Sequence, residues 1–280
     1  MKKIVSSVVL ICIVIVVFDN KMRVNAQNGE TKKARELWEK VIDAKGGREK
    51  LYAVKNLVVS VKTINKRPKK DFPGYHTESL FVLPDKWWFW ADEPPFGLGI
   101  WTYNFSSQVG WEVYEKFPLQ TIKPSADVSS TSPTDVRFRF VNREFLQKQI
   151  IYLMETKWLQ PAIVSVRTEQ LDFQKVDVIE TSYGNQKFEF YIDQKTHLPN
   201  QVLIRTRFEK TGTSVDGREQ IDSFILDDYV EVSGIKFPRV VRGSDENNET
   251  TYQVNVNYNN GIFEHPPTLD MGSKAWKSSR

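Results

Sequence analysis

The sequence predicts a mostly β (α+β) protein: a large antiparallel sheet of about ten strands that curls, with helices covering its apolar concave face. Three observations predict it. From Asn56 onward, apolar residues recur with a period of two instead of 3.6. Turn signals at Tyr183-Gly184-Asn185, Asp216-Gly217 and Ser233-Gly234 separate the alternating runs. Two helical stretches are available to cover a sheet that is apolar on one side.

Taken in chain order, the first element is a targeting segment. Lys2 and Lys3 precede an apolar run from Ile4 to Phe18, and Val24-Asn25-Ala26 offers small residues before a cleavage point at Gln27. This is the pattern of a secretory signal peptide over residues 1–26, and its apolar run is shorter than the ~20 residues of a spanning helix. An uncleaved N-terminal anchor is the alternative. Cys12, the one cysteine, lies in this run, so the mature chain has no thiol for a disulfide, a metal or a nucleophile. The whole chain of 280 residues holds 39 Lys+Arg and 35 Asp+Glu. Without Lys2, Lys3, Lys21, Arg23 and Asp19 the balance is 35 to 34, and the compositional case for nucleic-acid binding disappears.

Thr31 to Lys45 reads as an amphipathic helix. Ala34, Leu37, Trp38, Val41 and Ile42 form one stripe, Thr31 is the N-cap candidate, and Gly46-Gly47 is the stop. A short helical turn follows over Arg48 to Val54. Strands come next. Leu57, Val59 and Val61 share a face, as do Tyr75, Thr77, Ser79, Phe81 and Leu83. Val109, Trp111 and Val113 form an apolar face opposite Gly110, Glu112 and Tyr114. Between Leu83 and Trp101 stands "LPDKWWFWADEPPFGLGIW", in which Trp87 and Phe89 must face one way and Trp88 and Trp90 the other.

Ser125 to Val136 is polar and aperiodic, which predicts a loop or lid. Asn142 to Leu159 reads as a helix ended by Gln160-Pro161. Alternation then resumes through Phe188, Phe190 and Ile192, through Val202, Ile204 and Phe208, and through Tyr252, Val254, Val256 and Tyr258. These elements make a single domain over 27–268, followed by a polar tail over 269–280.

Chemistry-bearing motifs are scarce. His76, His197 and His265 stand in unrelated contexts without metal-ligand spacing. No GxSxG, Walker loop or GxGxxG is present, and the glycines of Pro94–Gly99 are not followed by a basic residue to meet a phosphate. The acidic pairs Asp92-Glu93 and Asp227-Asp228 read as solvated turns. The expectation is a non-enzyme with no catalytic residue, no metal and no cofactor.

The order of several short motifs resembles the LolA-like family of periplasmic lipoprotein carriers and outer-membrane lipoprotein-sorting proteins. The strand-breaking Pro84 is followed by the aromatic strand of Trp87, Trp88 and Trp90, then by Trp111 and Tyr114. "YIDQKTHLPNQV" (191–202), "DDYVEVSGIKFPRVV" (227–241) and "GIFEHPP" (261–267) are similar to later elements of that family, and "LWEKVIDAKGGREKLYAVKNLVV" is like its opening helix and strand. The resemblance implies an incomplete antiparallel β-barrel with helices as a lid over an apolar cavity. It implies a periplasmic carrier of a lipid or acylated lipoprotein, working as a monomer with inner- or outer-membrane acceptor proteins and without nucleic acid. The alternative within the same fold is an envelope scaffold or stress-sensing interaction domain; a hydrolase ranks last. The family's arginine before the proline is Leu83 here, which counts against true lipoprotein handover. The expected cavity residues are Phe81, Trp88, Trp90 and Trp111, with Leu37 and Trp38 from the helix above them.

Overall fold

The computed structural model describes residues 31–69, 72–93, 97–127, 130–171, 174–184, 186–207, 219–243 and 246–269. The expected signal peptide, the turn at Asp216-Gly217 and the tail beyond Leu269 lie outside these residues.

Helix α1 covers residues 31–45, and Thr31 is already helical. Gly46 and Gly47 end it at φ 131° and 90°, and the Gly47 N–H donates to Ile42 O at 2.9 Å. A side chain at Gly46 would also sit 2.3 Å from the Gly234 carbonyl, so glycine here permits close approach as well as the turn. Helix α2 (Arg48–Tyr52) follows at once.

The strands are β1 (Asn56–Lys69), β2 (Phe72–Val82), β3 (Lys86–Glu93), β4 (Gly97–Asn104), β5 (Val109–Tyr114) and β6 (Phe117–Ile122). After helix α3 (Pro133–Leu153) come β7 (Ala162–Leu171), β8 (Gln174–Tyr183), β9 (Gln186–Asp193), β10 (Pro199–Arg207), β11 (Glu219–Val232), β12 (Ile235–Arg242) and β13 (Glu246–Val254). A 3₁₀ turn, Asn260–Phe263, ends the described fold.

All thirteen strands belong to one antiparallel sheet in the order β6-β5-β4-β3-β2-β1-β13-β12-β11-β10-β9-β8-β7. The chain makes two meanders that meet where β1 pairs with β13. The outermost strands, β6 and β7, are neighbours in sequence but not in the sheet, so the barrel stays open and α3 links its two edges. This is the incomplete antiparallel barrel that the sequence predicts.

Three differences have physical causes. Among the described residues the sheet has thirteen strands, not about ten, because strands such as β4 and β8 bury apolar residues on both faces and give little alternation. Helix α3 starts nine residues before Asn142: Ser132 caps it by accepting from the Asp135 N–H at 3.2 Å, and Pro133 occupies the first turn. It also stops at Leu153, where Met154 takes φ 65°, well short of Gln160-Pro161. Strand β13 likewise ends at Val254, with Asn255 at φ 55°, so Val256 and Tyr258 pack from irregular chain.

The sheet's two faces hold separate cores, beside a small third cluster of Val176, Val178 and Tyr191. The larger, concave core joins Trp38, Val41 and Ile42 of α1 and Phe138, Val141, Phe145 and Ile150 of α3 to both halves of the sheet. A smaller convex core joins Val58, Leu80, Trp88 and Ile100 to Ile262 and Phe263 of the 3₁₀ turn.

Candidate functional site: the covered concave face

Strand register builds the concave floor. Leu57, Phe81, Trp87 and Tyr103 are successive cross-strand partners, and the next row is Val59, Ser79, Phe89, Trp101 and Glu112. The rings form a continuous path. Phe81 stacks on Trp87 at 5.8 Å, Trp87 meets Phe89 at 5.7 Å, and Phe89 meets Trp101 at 4.7 Å. Tyr114 and Phe117 extend the path to the β6 edge at 6.2 and 6.0 Å. From above, Phe145 of α3 lies 5.9 Å from Phe81 and 4.8 Å from Phe105. Lys148 and Arg137 of α3 lie over Trp87 and Trp101 at 5.8 and 4.7 Å.

The structure divides the six expected cavity residues between the two faces. Phe81 and Trp38 belong to the concave core, and Leu37 packs against it. Trp38 meets Phe190 edge-on at 5.4 Å. Trp88 and Trp90 face the convex side, in the cluster closed by Ile262 and Phe263. Trp111 is paired with Thr102, which is paired with Trp88, so it shares that convex row. The expected wall of Phe81 with Trp88, Trp90 and Trp111 is therefore two walls back to back. The inward pair of the tryptophan run is Trp87 and Phe89.

Strand β5 is turned over relative to its hydropathy. Gly110, Glu112 and Tyr114 face the helices, and Val113 packs on the convex cluster. The reason is Arg137. Its Nε donates to Glu112 Oε1 at 2.7 Å, while Tyr103 and Tyr114 donate their hydroxyls to the same carboxylate. Glu112 is buried, so it needs these donors. Burial and then the Glu112 charge push the Tyr103 hydroxyl well above its usual range, and Tyr114 is pushed up to about 12. Gly110 fits beneath the Tyr103 ring, where an added side chain would stand 2.4 Å from a ring carbon.

A second polar knot ties the cover together. Glu155, just past α3, accepts from Trp38 Nε1 of α1 at 2.8 Å and from Arg48 Nε of α2 at 2.6 Å. Arg48 also pairs with Glu39 at 2.7 Å. Hydrogen bonds to Glu39 and Glu155 hold the Arg48 guanidinium above its ordinary value. Tyr183 of β8 donates to Met154 O, and Gln147 of α3 bridges to Gln186 and Thr206 at 2.8 and 3.2 Å. Beside their apolar packing, polar contacts thus join the helices to each other at one end and to both halves of the sheet, at β5, β8, β9 and β10.

Sequence reading does not reach Glu112, Arg137, Glu155 or Lys45. Lys45 alone carries a usable signal, since it continues the α1 stripe three and four residues beyond Ile42 and Val41. Its side chain is fully buried, and burial lowers the amine to about 7.

His76 contacts Ser60 at 2.9 Å and the Trp90 ring at 5.3 Å, away from the floor. His197 sits in the β9–β10 turn at φ 55°. Among the described residues no three histidines, cysteines or carboxylates are placed to share a metal ion. Nor is any described helix long and apolar enough to cross a membrane.

No family model matches the chain, and no curated protein matches it. Solved structures do. A LolA superfamily protein from Nitrosomonas europaea is 14% identical, with 80% of this chain and 95% of that one covered at a TM-score of 0.44. An outer membrane lipoprotein-sorting protein domain from Vibrio parahaemolyticus is 10% identical, with 83% and 97% covered at 0.42. The MucA/MucB complex structure from Pseudomonas aeruginosa is 8% identical, with 84% and 99% covered at 0.19.

Proposed function

We propose that this protein is a periplasmic binding or carrier protein for an apolar ligand, the acyl chains of a lipid or of an acylated lipoprotein, held on the concave face beneath α1 and α3. The observation that carries the reading is the ring path Phe81–Trp87–Phe89–Trp101 under a helical cover. Broad aromatic surface gives affinity for acyl chains without polar partners. The cover packs apolar side chains on that face and adds polar contacts at Glu155 and Glu112, but no strand ladder joins it to the sheet, so it is the part suited to move. No catalytic step is assigned. Membrane acceptor proteins are its natural partners on this reading.

Native mass spectrometry of the protein, purified from its own envelope without detergent and then delipidated, tests the proposal. The expected result is a co-purifying lipid or acylated species, and re-binding of that species after extraction. A clean unliganded mass that takes up no acyl compound would overturn it.

One observation favours a second reading, an interaction domain with the same fold. Edge strand β6 exposes Phe117 and Leu119 beside an unpaired backbone edge. Capture of a protein partner that Phe117→Ser abolishes, with no acyl uptake, is the outcome that reading expects.

A further inference from the structure

We infer that the acyl ligand is anionic, and that the Lys45 ammonium at the C-terminal end of α1 pairs with its carboxylate head. This rests on the carrier reading above and adds the head-group chemistry to it. Lys45 has no exposed surface, and its Nζ has no hydrogen-bond partner among the described residues. It sits 5.5 Å from the Tyr229 ring and 5.4 Å from the Phe237 ring. Both rings belong to the concave core or pack against it.

Such a group needs a reason. A lysine near a surface runs its stem along apolar neighbours and keeps its ammonium in water. This one ends inside, where a charge without a counter-ion is strongly disfavoured. Ring faces offset part of that cost but supply no lone pair. Among the described residues no carboxylate pairs with it either. From β11, Tyr229 donates its hydroxyl to Pro199 O at 2.6 Å, and behind Phe237, Tyr252 of β13 donates to Pro238 O at 2.6 Å. Burial holds both phenols neutral. At the β11–β12 turn another cation, Lys50, meets Gly234 O through its Nζ at 3.3 Å, and the exposed Glu231 is the cross-strand partner of Lys236. Asp227 faces outward and pairs with Arg242 at 3.2 Å. A leucine or methionine would fill the same apolar space without the penalty.

A carboxylate arriving with an acyl chain completes the site. Its charge is single and its oxygens accept what Lys45 donates, whereas a neutral head leaves the amine unpaired. The amine is largely neutral above pH 7 in the empty protein, so carboxylate binding at higher pH draws a proton onto it.

Titration of delipidated full-length protein with palmitate and with cetyl alcohol, at about pH 6 and pH 8.5, tests this. The expected wild-type result is a preference for palmitate at pH 6 that weakens at pH 8.5. Calorimetry in buffers of different ionisation enthalpy should show uptake of about one proton at pH 8.5. In Lys45→Met, an apolar side chain of similar length, the palmitate-over-alcohol ratio should fall about tenfold or more and the proton uptake should vanish. An unchanged ratio and pH profile in Lys45→Met, or wild-type protein that takes the alcohol but not palmitate, overturns the head-group assignment and leaves the carrier reading standing. Wild-type protein that takes neither compound overturns both.

Discussion

On the concave side of β2–β4 lie Phe81, Trp87, Phe89 and Trp101; on the convex side lie Leu80, Trp88, Trp90 and Ile100. The two rows are about equally greasy, and they alternate along the same strands. They differ in what covers them. The convex row is closed by the 3₁₀ turn of Asn260–Phe263, which presses Ile262 and Phe263 directly onto it. The concave row is covered by apolar side chains of α1 and α3, among them Trp38, Val41, Phe138 and Phe145, and polar contacts at Glu155 and Glu112 are added to that packing. Hydrophobic character alone therefore does not separate packing from binding surface. The nature of the cover differs: a short apolar plug on one side, and on the other two helices that add buried polar ties to their apolar packing.

The largest expected effect breaks the concave row. Phe81→Ala removes a fully buried ring that touches Trp87, Phe145 and Tyr152, and should cost about 3–5 kcal/mol in urea unfolding together with acyl binding. Phe263→Ala on the convex side should cost slightly less, about 3 kcal/mol, because its cluster is smaller, and should leave ligand uptake intact. Glu155→Ala strips the acceptor from the buried Trp38 indole, while Arg48 keeps Glu39. A loss of about 2 kcal/mol is expected, with faster ligand exchange in stopped-flow measurements.

The smallest effect has the opposite sign. Lys45 binds its proton less readily folded, at about 7, than in the free side chain at 10.5. Between those values the unfolded chain holds a proton that the folded chain lacks, so this group makes stability rise with pH from about 7 to 10.5. Lys45→Met should flatten that slope and stabilise the unliganded protein at neutral pH by about 1–2 kcal/mol, measured by unfolding across the range.

Much of this architecture is legible in the sequence wherever one strand face is apolar and the other polar. Leu57, Val59 and Val61 point to the concave core as their alternation says, as do Phe188, Phe190 and Ile192. The reading fails where both faces are covered. In β4, Ile100 belongs to one core and Tyr103 to the other, so no period of two survives. In β3 the period is plain, but no local signal states which pair faces in. That depends on Ile262 and Phe263, far along the chain. In β5 the charge of Arg137, brought by a helix from elsewhere in sequence, draws Glu112 inward and reverses the expected face. Helix α3 carries a start signal at Ser132-Pro133, but its polar and apolar residues are too mixed for a clean stripe.

The central claim is that the concave face, not the convex one, receives the ligand. Acyl uptake by native mass spectrometry, compared between Phe81→Ala and Phe263→Ala at a temperature where circular dichroism shows both folded, tests it most directly. The account predicts that Phe81→Ala loses the bound species and Phe263→Ala keeps it. Loss in Phe263→Ala with retention in Phe81→Ala would contradict the account and move the binding surface to the Trp88–Trp90 side.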